Sequence, residues 1–377
     1  MATLASVYRY PIKSCLPIAE SRCQVTSEGL AGDRRYMVVR PDGQFITART
    51  HPQLQRVSVS LHPQGLTLQA PGMPELEICQ RQFSGEPVAT AVWSDSFTAP
   101  ATHGDYDAWF TALLGEPARL LWLGETSPRY RQKLGQRVSF ADGYPLLLLT
   151  SASLADLNRR TPEPQQMSQF RPNLVVSGTL PFAEDGWQRI RIGEVEFQVA
   201  KPCSRCVMTT LNPEQGEYHP GREPLATLAT YRMGADGEIY FGQNLIPLNE
   251  GWLAAGDPVE VLQMQEPPHY APRPRQPATA SEPVAALESR AGTSFRVQRG
   301  EQHFQADGER PLLIQAEAAG LSWPHACRAG LCGRCKSTLL SGQVEQPETP
   351  GLSATAREEG SILTCCAIPR SDLLLAP

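Results

Sequence analysis

Apolar and polar positions alternate with a period of two through most of this chain, and helical periodicity is confined to a few stretches. Arg35 to Arg40 and Gln44 to Arg49 flank Pro41-Asp42-Gly43, a turn suited to joining two strands as a hairpin. Arg189 to Ile192 and Glu194 to Val199 alternate about Gly193, and Asp257-Pro258 leads into a short strand from Val259 to Leu262. Helices are expected over Asp105 to Leu114, Ser153 to Arg159 and Glu223 to Tyr231. Ser153-x-x-Asp156 reads as a capping box. The pattern predicts a β-rich α+β body, with a small N-terminal domain packed on a larger one.

From Glu266 to about Gly292 the text turns rich in proline and alanine and loses any apolar period, as a semi-rigid linker does. It separates a tail of about 85 residues. There, Ser294 to Gln298 and Gln302 to Ala306 flank Arg299-Gly300 as a hairpin. Pro311 opens a short helix with Leu312, Leu313 and Ala316 on one face, and Ser337 to Leu340 forms a later strand.

Composition narrows the function classes. The 377 residues are 41% hydrophobic and 19% charged, with a net charge of −5, so no basic surface for a nucleic-acid polymer is expected. The first residues lack a basic stretch followed by an apolar core, so no signal peptide is expected. The longest apolar run, Leu146 to Leu149, is too short to span a membrane. Ten cysteines, mostly in two clusters, fit metal sites in a reducing cytoplasm better than a disulfide framework.

The tail's cysteines carry the clearest chemistry. Cys327, Cys332 and Cys335 in C-R-A-G-L-C-G-R-C have the C-x4-C-x2-C spacing of a plant-type 2Fe–2S loop, closed by a distant fourth cysteine. Soft thiolates suit such a cluster, and Gly330 and Gly333 permit tight turns around its sulfurs. A zinc site would usually show two paired motifs, which this pattern lacks. Twenty-nine residues separate Cys335 from the adjoining pair Cys365 and Cys366, of which only one can be the fourth ligand. Cys365 is the expected ligand, which would put Cys366 on the other side of a strand.

The body holds a second cysteine phrase, Lys201-Pro-Cys-Ser-Arg-Cys-Val-Met-Thr-Thr. By spacing, Cys203 and Cys206 are compatible with a redox disulfide, half a zinc site or a pair without a role. Arg205 and Lys201 would favour thiolate at Cys206. There is no G-x-G-x-x-G and no Walker loop, so electrons are expected from a separate protein.

K-P-C-S-R-C-V-M-T-T, with Q-F-R-P-N-L-V-V-S-G upstream, resembles the MOSC domain shared with molybdenum cofactor sulfurases. Y-P-I-K-S-C, G-D-R-R-Y-M-V-V and F-I-T-A-R resemble the β-barrel domain that precedes it. Relatives include the mitochondrial amidoxime reducing component, and YcbX-type members also carry a C-terminal ferredoxin. The implied architecture is a MOSC N-terminal β-barrel domain (1–110) and a MOSC β-barrel-like molybdenum-cofactor domain (111–265). A linker (266–292) and a β-grasp plant-type ferredoxin domain (293–377) would follow.

The resemblance implies a molybdenum cofactor (molybdopterin) with Cys206 as the metal's ligand, and Cys203 as a structural neighbour. It matches Lys13, Ser14 and Arg34 to positions binding the pterin and its phosphate, and Ser151, Ser153, Arg171 and Asn173 to further cofactor contacts. Ser204 and Arg205, beside the ligand in the phrase, would support it. The chain departs from the family at Leu16-Pro17-Ile18, where a basic residue and glycine are more usual. The implied activity is two-electron reduction of N-hydroxylated compounds such as 6-hydroxylaminopurine. An NAD(P)H-dependent flavoprotein reductase would feed the 2Fe–2S domain. The competing readings are a sulfur carrier using a Cys206 persulfide, and a pure electron-transfer module.

Overall fold

The computed structural model describes residues 1–272, 294–349 and 351–377. The chain divides into two compact units. One holds Met1–Cys203, Leu211–Tyr218 and Phe241–Pro268, the other Ser204–Thr210, His219–Tyr240 and His269–Pro377. Of the expected linker, residues 266–272 lie in no regular element and 273–292 fall outside the described residues.

An eight-stranded sheet dominates the first unit. Its order is Ile18–Glu20, Thr3–Arg9, Leu174–Ser177, Leu146–Thr150, Ile239–Pro247, Val195–Arg205, Trp187–Ile192 and Val259–Met264. Leu146–Thr150 and Leu174–Ser177 run parallel, so the chain must cross over between them. It does so through helices Ser151–Arg160 and Met167–Phe170. The predicted pair about Gly193 is present as antiparallel strands. Ile190 and Ile192 are buried, while Arg191 points outward and donates to Glu196 and Glu260 at 2.8 and 2.9 Å. Leu4, Leu148, Val176, Ile190 and Phe197 are fully buried on the core side. Each such side chain contributes about 1.5–3 kcal/mol relative to exposure.

The N-terminal region is built of smaller sheets around Met37, Val39, Val92, Leu121 and Phe140. Here the expected hairpin is only half formed. The turn closes, with Gly43 N donating to Arg40 O at 2.9 Å, and Ile46 N reaches Val38 O at 2.8 Å. The second strand then ends, because Ala48 N turns to Ser14 Oγ at 3.1 Å. Tyr36–Val39 takes Arg119–Trp122 as its antiparallel partner instead. Gly43 is required by space as well as by its φ of +85°, since a Cβ there would stand 2.0 Å from Ala89 O.

Two helix predictions also change. The second helix starts at Ser151, capped by Thr150, whose hydroxyl accepts from Ser153 N at 3.2 Å. The Ser153–Asp156 capping box is thus replaced, and Asp156 accepts from Arg159 and Arg160. Glu223 to Tyr231 yields only Leu225–Ala229, because the helix begins after Pro224. Among the described residues no helix is long and apolar enough to cross a membrane.

The C-terminal part of the second unit is a five-stranded sheet, ordered Gln302–Asp307, Ser294–Arg299, Leu373–Leu375, Lys336–Ser341 and Ser361–Leu363. The predicted hairpin and helix are both there. The sequence reading lacked Leu373–Leu375, which pairs parallel with Ser294–Arg299 and so occupies the centre of the sheet. Leu312, Leu313 and Ala316 of helix Leu312–Ala318 pack into the core beside Val297 and Trp323. Buried Gln315 ties the helix down by accepting from Asp307 N at 2.7 Å and donating to Arg310 O at 2.6 Å. Cys366 lies in a turn after Ser361–Leu363 and not on a strand.

Candidate active site and cluster centre

In the first unit the motifs Y-P-I-K-S, G-D-R and F-R-P-N converge. Arg34 Nη1 donates to Asp33 Oδ2 at 2.5 Å and to Asn173 Oδ1 at 3.0 Å. Asn173 Nδ2 donates to Tyr8 O and Asp33 Oδ1, and its Oδ1 also accepts from Leu147 N at 3.2 Å. The guanidinium carbons of Arg34 and Arg171 lie 4.2 and 4.3 Å from the Tyr10 ring centroid. Cation–π attraction offsets part of the repulsion between them. Arg171 Nη1 further donates to Cys15 O at 2.8 Å.

Lys13 sits at the other end of the same segment. Its Nζ donates to Phe140 O at 2.8 Å and to Asp142 Oδ1 at 2.5 Å, while Arg49 Nη2 reaches Asp142 Oδ2 at 3.0 Å. Burial pushes the Lys13 ammonium down to about 8, and the Asp142 carboxylate only partly restores it. Desolvation opposes ionisation of Asp142, yet Lys13 and Arg49 outweigh it and hold its carboxyl well below the usual range. Burial also lowers Arg171 to about 10 and raises Tyr10 to about 12. Four cations here face two carboxylates, an imbalance that an anionic ligand would relieve.

The backbone is distorted at the same positions. Ser14, Arg34 and Arg171 have φ of +72°, +45° and +54°, three of seven non-glycine residues in the left-handed region among those described. Each costs on the order of 1–3 kcal/mol, and such strain concentrates where side chains must be aimed.

The two helix serines part company. Ser153 is fully buried and its hydroxyl is consumed by the fold, donating to Glu184 Oε1 and accepting from Phe182 N, both at 2.7 Å. Thr150 donates to the other oxygen of Glu184 at 3.1 Å. Ser151 is exposed, with Val176 O 3.4 Å from its hydroxyl.

In the second unit, Cys206 follows directly on strand Val195–Arg205 and opens the turn Val207–Thr210. Its carbonyl is held by Thr209, whose N and Oγ1 donate at 3.1 and 3.0 Å. Cys203 and Cys206 are half-buried, Ser204 is exposed and Arg205 is buried.

The four expected cluster ligands form two thiol pairs. Cys335 Sγ lies 3.2 Å from Cys365 Sγ, and Cys327 and Cys332 share a hydrogen bond between their thiols. Cys327 Sγ accepts from Ala329 N and Leu331 N at 3.4 and 3.3 Å, and Cys332 Sγ from Arg334 N at 3.4 Å. Backbone N–H groups aimed at sulfur stabilise thiolate. Two pairs of thiols match the two irons of a 2Fe–2S cluster, two sulfurs to each iron. Arg328, at φ +56°, fastens the loop by two bonds to Glu317 of the helix, at 2.7 and 2.6 Å.

Sequence reading passed over Tyr10, Asp33, Arg49 and Asp142. Asp33 was visible inside G-D-R. Tyr10 stands three residues before Lys13, but only the fold brings two arginines to its ring.

Residues 1–117 match the MOSC N-terminal beta barrel domain, 135–260 the MOSC domain, and 295–370 the 2Fe-2S iron-sulfur cluster binding domain. Mitochondrial amidoxime reducing component 2 of Homo sapiens is 34% identical over 281 residues, which cover 69% of this chain and 83% of that protein. Component 1 of Homo sapiens is 32% identical over 284 residues, at 70% and 83% coverage. The molybdenum cofactor sulfurase of Solanum lycopersicum is 30% identical over 288 residues, 68% of this chain and 35% of that one. The chain belongs to the MOSC-domain family of the amidoxime reducing components, as an oxidoreductase of the molybdenum cofactor that carries a 2Fe–2S domain of its own.

Proposed function

We propose that the chain reduces N-hydroxylated compounds, R–NH–OH plus two electrons and two protons giving R–NH2 and water. The carrying observation is the presence of a MOSC domain and a 2Fe–2S domain on one chain. A cluster delivers one electron at a time, whereas N–O cleavage consumes two. The molybdenum cofactor, when bound, supplies a two-electron centre. The identity to proteins named for amidoxime reduction supports the substrate class.

Cys206 is the residue we assign as molybdenum ligand, with Ser204 and Arg205 supporting it. Lys13, Arg34 and Arg171 provide positive charge for the pterin's phosphate, while Ser14, Asn173 and Ser151 offer hydrogen bonds. Ser153 is left to its structural role with Glu184. Cys327, Cys332, Cys335 and Cys365 hold the cluster, fed by an NAD(P)H-dependent flavoprotein reductase in a reducing cytoplasm. A persulfide carrier at Cys206 would have no use for an attached electron-transfer domain.

The substrate we favour is 6-hydroxylaminopurine. Protein reduced anaerobically with a limiting amount of dithionite should convert it to adenine, one molecule per two electrons, as the cluster's reduced signal decays. A signal that persists, with no adenine formed, would refute the proposal.

A further inference from the structure

Cys366 stands outside the proposed ligand set, yet this half-buried residue brings its sulfur to 3.6 Å from that of Cys365. Arg222 comes to the same point from 144 residues upstream, within the same compact unit. Its Nη1 and Nη2 lie 3.8 and 3.9 Å from Cys366 Sγ. The guanidinium therefore stands one sulfur away from a cluster ligand.

The loop is shaped around it. A Cβ on Gly330, between the first two ligands, would fall 2.6 Å from Arg222 Nη1 and 2.9 Å from Cys366 Sγ. A side chain there would crowd the guanidinium, the Cys366 sulfur and Thr349 Cγ2, and the φ of +68° at Gly330 favours glycine in its own right. Arg222 itself has a φ of +57°, with its N donating to His219 O at 2.9 Å. A left-handed arginine is an unfavourable backbone state that the surrounding contacts must hold in place. The segment His219–Tyr240 makes a second approach, because a Cβ on Gly237 would be 3.6 Å from Cys332 Cβ.

We propose that Arg222 is a tuning residue for the 2Fe–2S cluster, raising its reduction potential by placing a fixed positive charge beside the Cys365–Cys366 edge. Reduction adds one negative charge to the cluster, and a nearby cation stabilises that state over the oxidised one. Cys366 is the soft acceptor through which the guanidinium is seated. The proposal rests on the assignment of Cys327, Cys332, Cys335 and Cys365 as ligands.

The test is a redox titration of the full-length chain, followed by the reduced cluster's paramagnetic signal, for wild type, Arg222→Gln and Arg222→Lys. Iron and acid-labile sulfide are measured on each. Arg222→Gln should lower the potential by about 59 mV, a tenfold shift in a one-electron equilibrium. Arg222→Lys should fall between it and wild type. A purely structural role would leave the potential of the assembled cluster unmoved, and an unchanged value in Arg222→Gln overturns the proposal. Should Arg222→Gln assemble no cluster, Arg222→Ala, which also removes the charge, decides in the same way. Cys366→Ala separates the underlying assignment, since it should keep its two irons. Loss of iron there would make Cys366 the ligand and remove the premise.

Discussion

Arg34 donates to Asn173 across 139 residues of chain, joining the G-D-R and F-R-P-N motifs through one 3.0 Å hydrogen bond. Asn173 is the hub of that junction, since it also binds Tyr8 O, Asp33 and Leu147 N. It is almost wholly buried. Asn173→Ala would leave several of these groups without partners, each at a cost of about 1–3 kcal/mol. We expect a thermal midpoint lowered by several degrees and weaker retention of molybdenum. An unchanged midpoint would show that the junction relaxes without cost.

Lys13 predicts a pH dependence. Its folded pKa is depressed from 10.5 to about 8, so it loses its charge progressively as pH rises through about 8. Phosphate affinity should fall as pH rises through 8, and Lys13→Gln should abolish that slope. The sign for stability is opposite. Burial penalises the charged form, so that penalty is full below pH 8 and is relieved between 8 and 10.5. Cofactor loss above pH 8 is thus not unfolding caused by Lys13, and thermal melts over the same range distinguish the two.

Ser153→Ala should separate fold from cofactor. It removes a hydrogen bond from buried Glu184 and another from Phe182 N, for a loss of about 1–3 kcal/mol. Molybdenum content per folded chain should be unaffected. Depleted molybdenum at unchanged stability would return Ser153 to the cofactor site.

Cys335→Ser should lose the cluster's iron and visible absorption and accept no electrons from the reductase, while retaining molybdenum. Loss of both metals would mean that the two centres cannot assemble independently.

The sequence exposed elements whose signals are local. The Gly193 pair, the Arg299-Gly300 hairpin and the Leu312 helix stand where their patterns place them, because turn residues and periodicity act over a few positions. The strand expected at Gln44–Arg49 shortened because Ser14 takes the N–H of Ala48, a partner 34 residues away. Leu373–Leu375 is central only through long-range pairing with Ser294–Arg299. At the site, motif matching picked out Lys13, Arg34, Arg171 and Asn173 individually. That Tyr10 lies against two of them, and that three candidate positions have left-handed backbone, are properties of the folded chain and not of any local pattern.

The central claim is that Cys206 holds molybdenum in a chain whose other cysteine cluster holds iron. Molybdenum, iron and acid-labile sulfide should be measured together on anaerobically purified wild type and Cys206→Ala, from a host able to make the cofactor. The account predicts about one molybdenum and two irons per chain in the wild type, with molybdenum lost and iron retained in the variant. Two irons without molybdenum in the wild type, or molybdenum undiminished in Cys206→Ala, would contradict it.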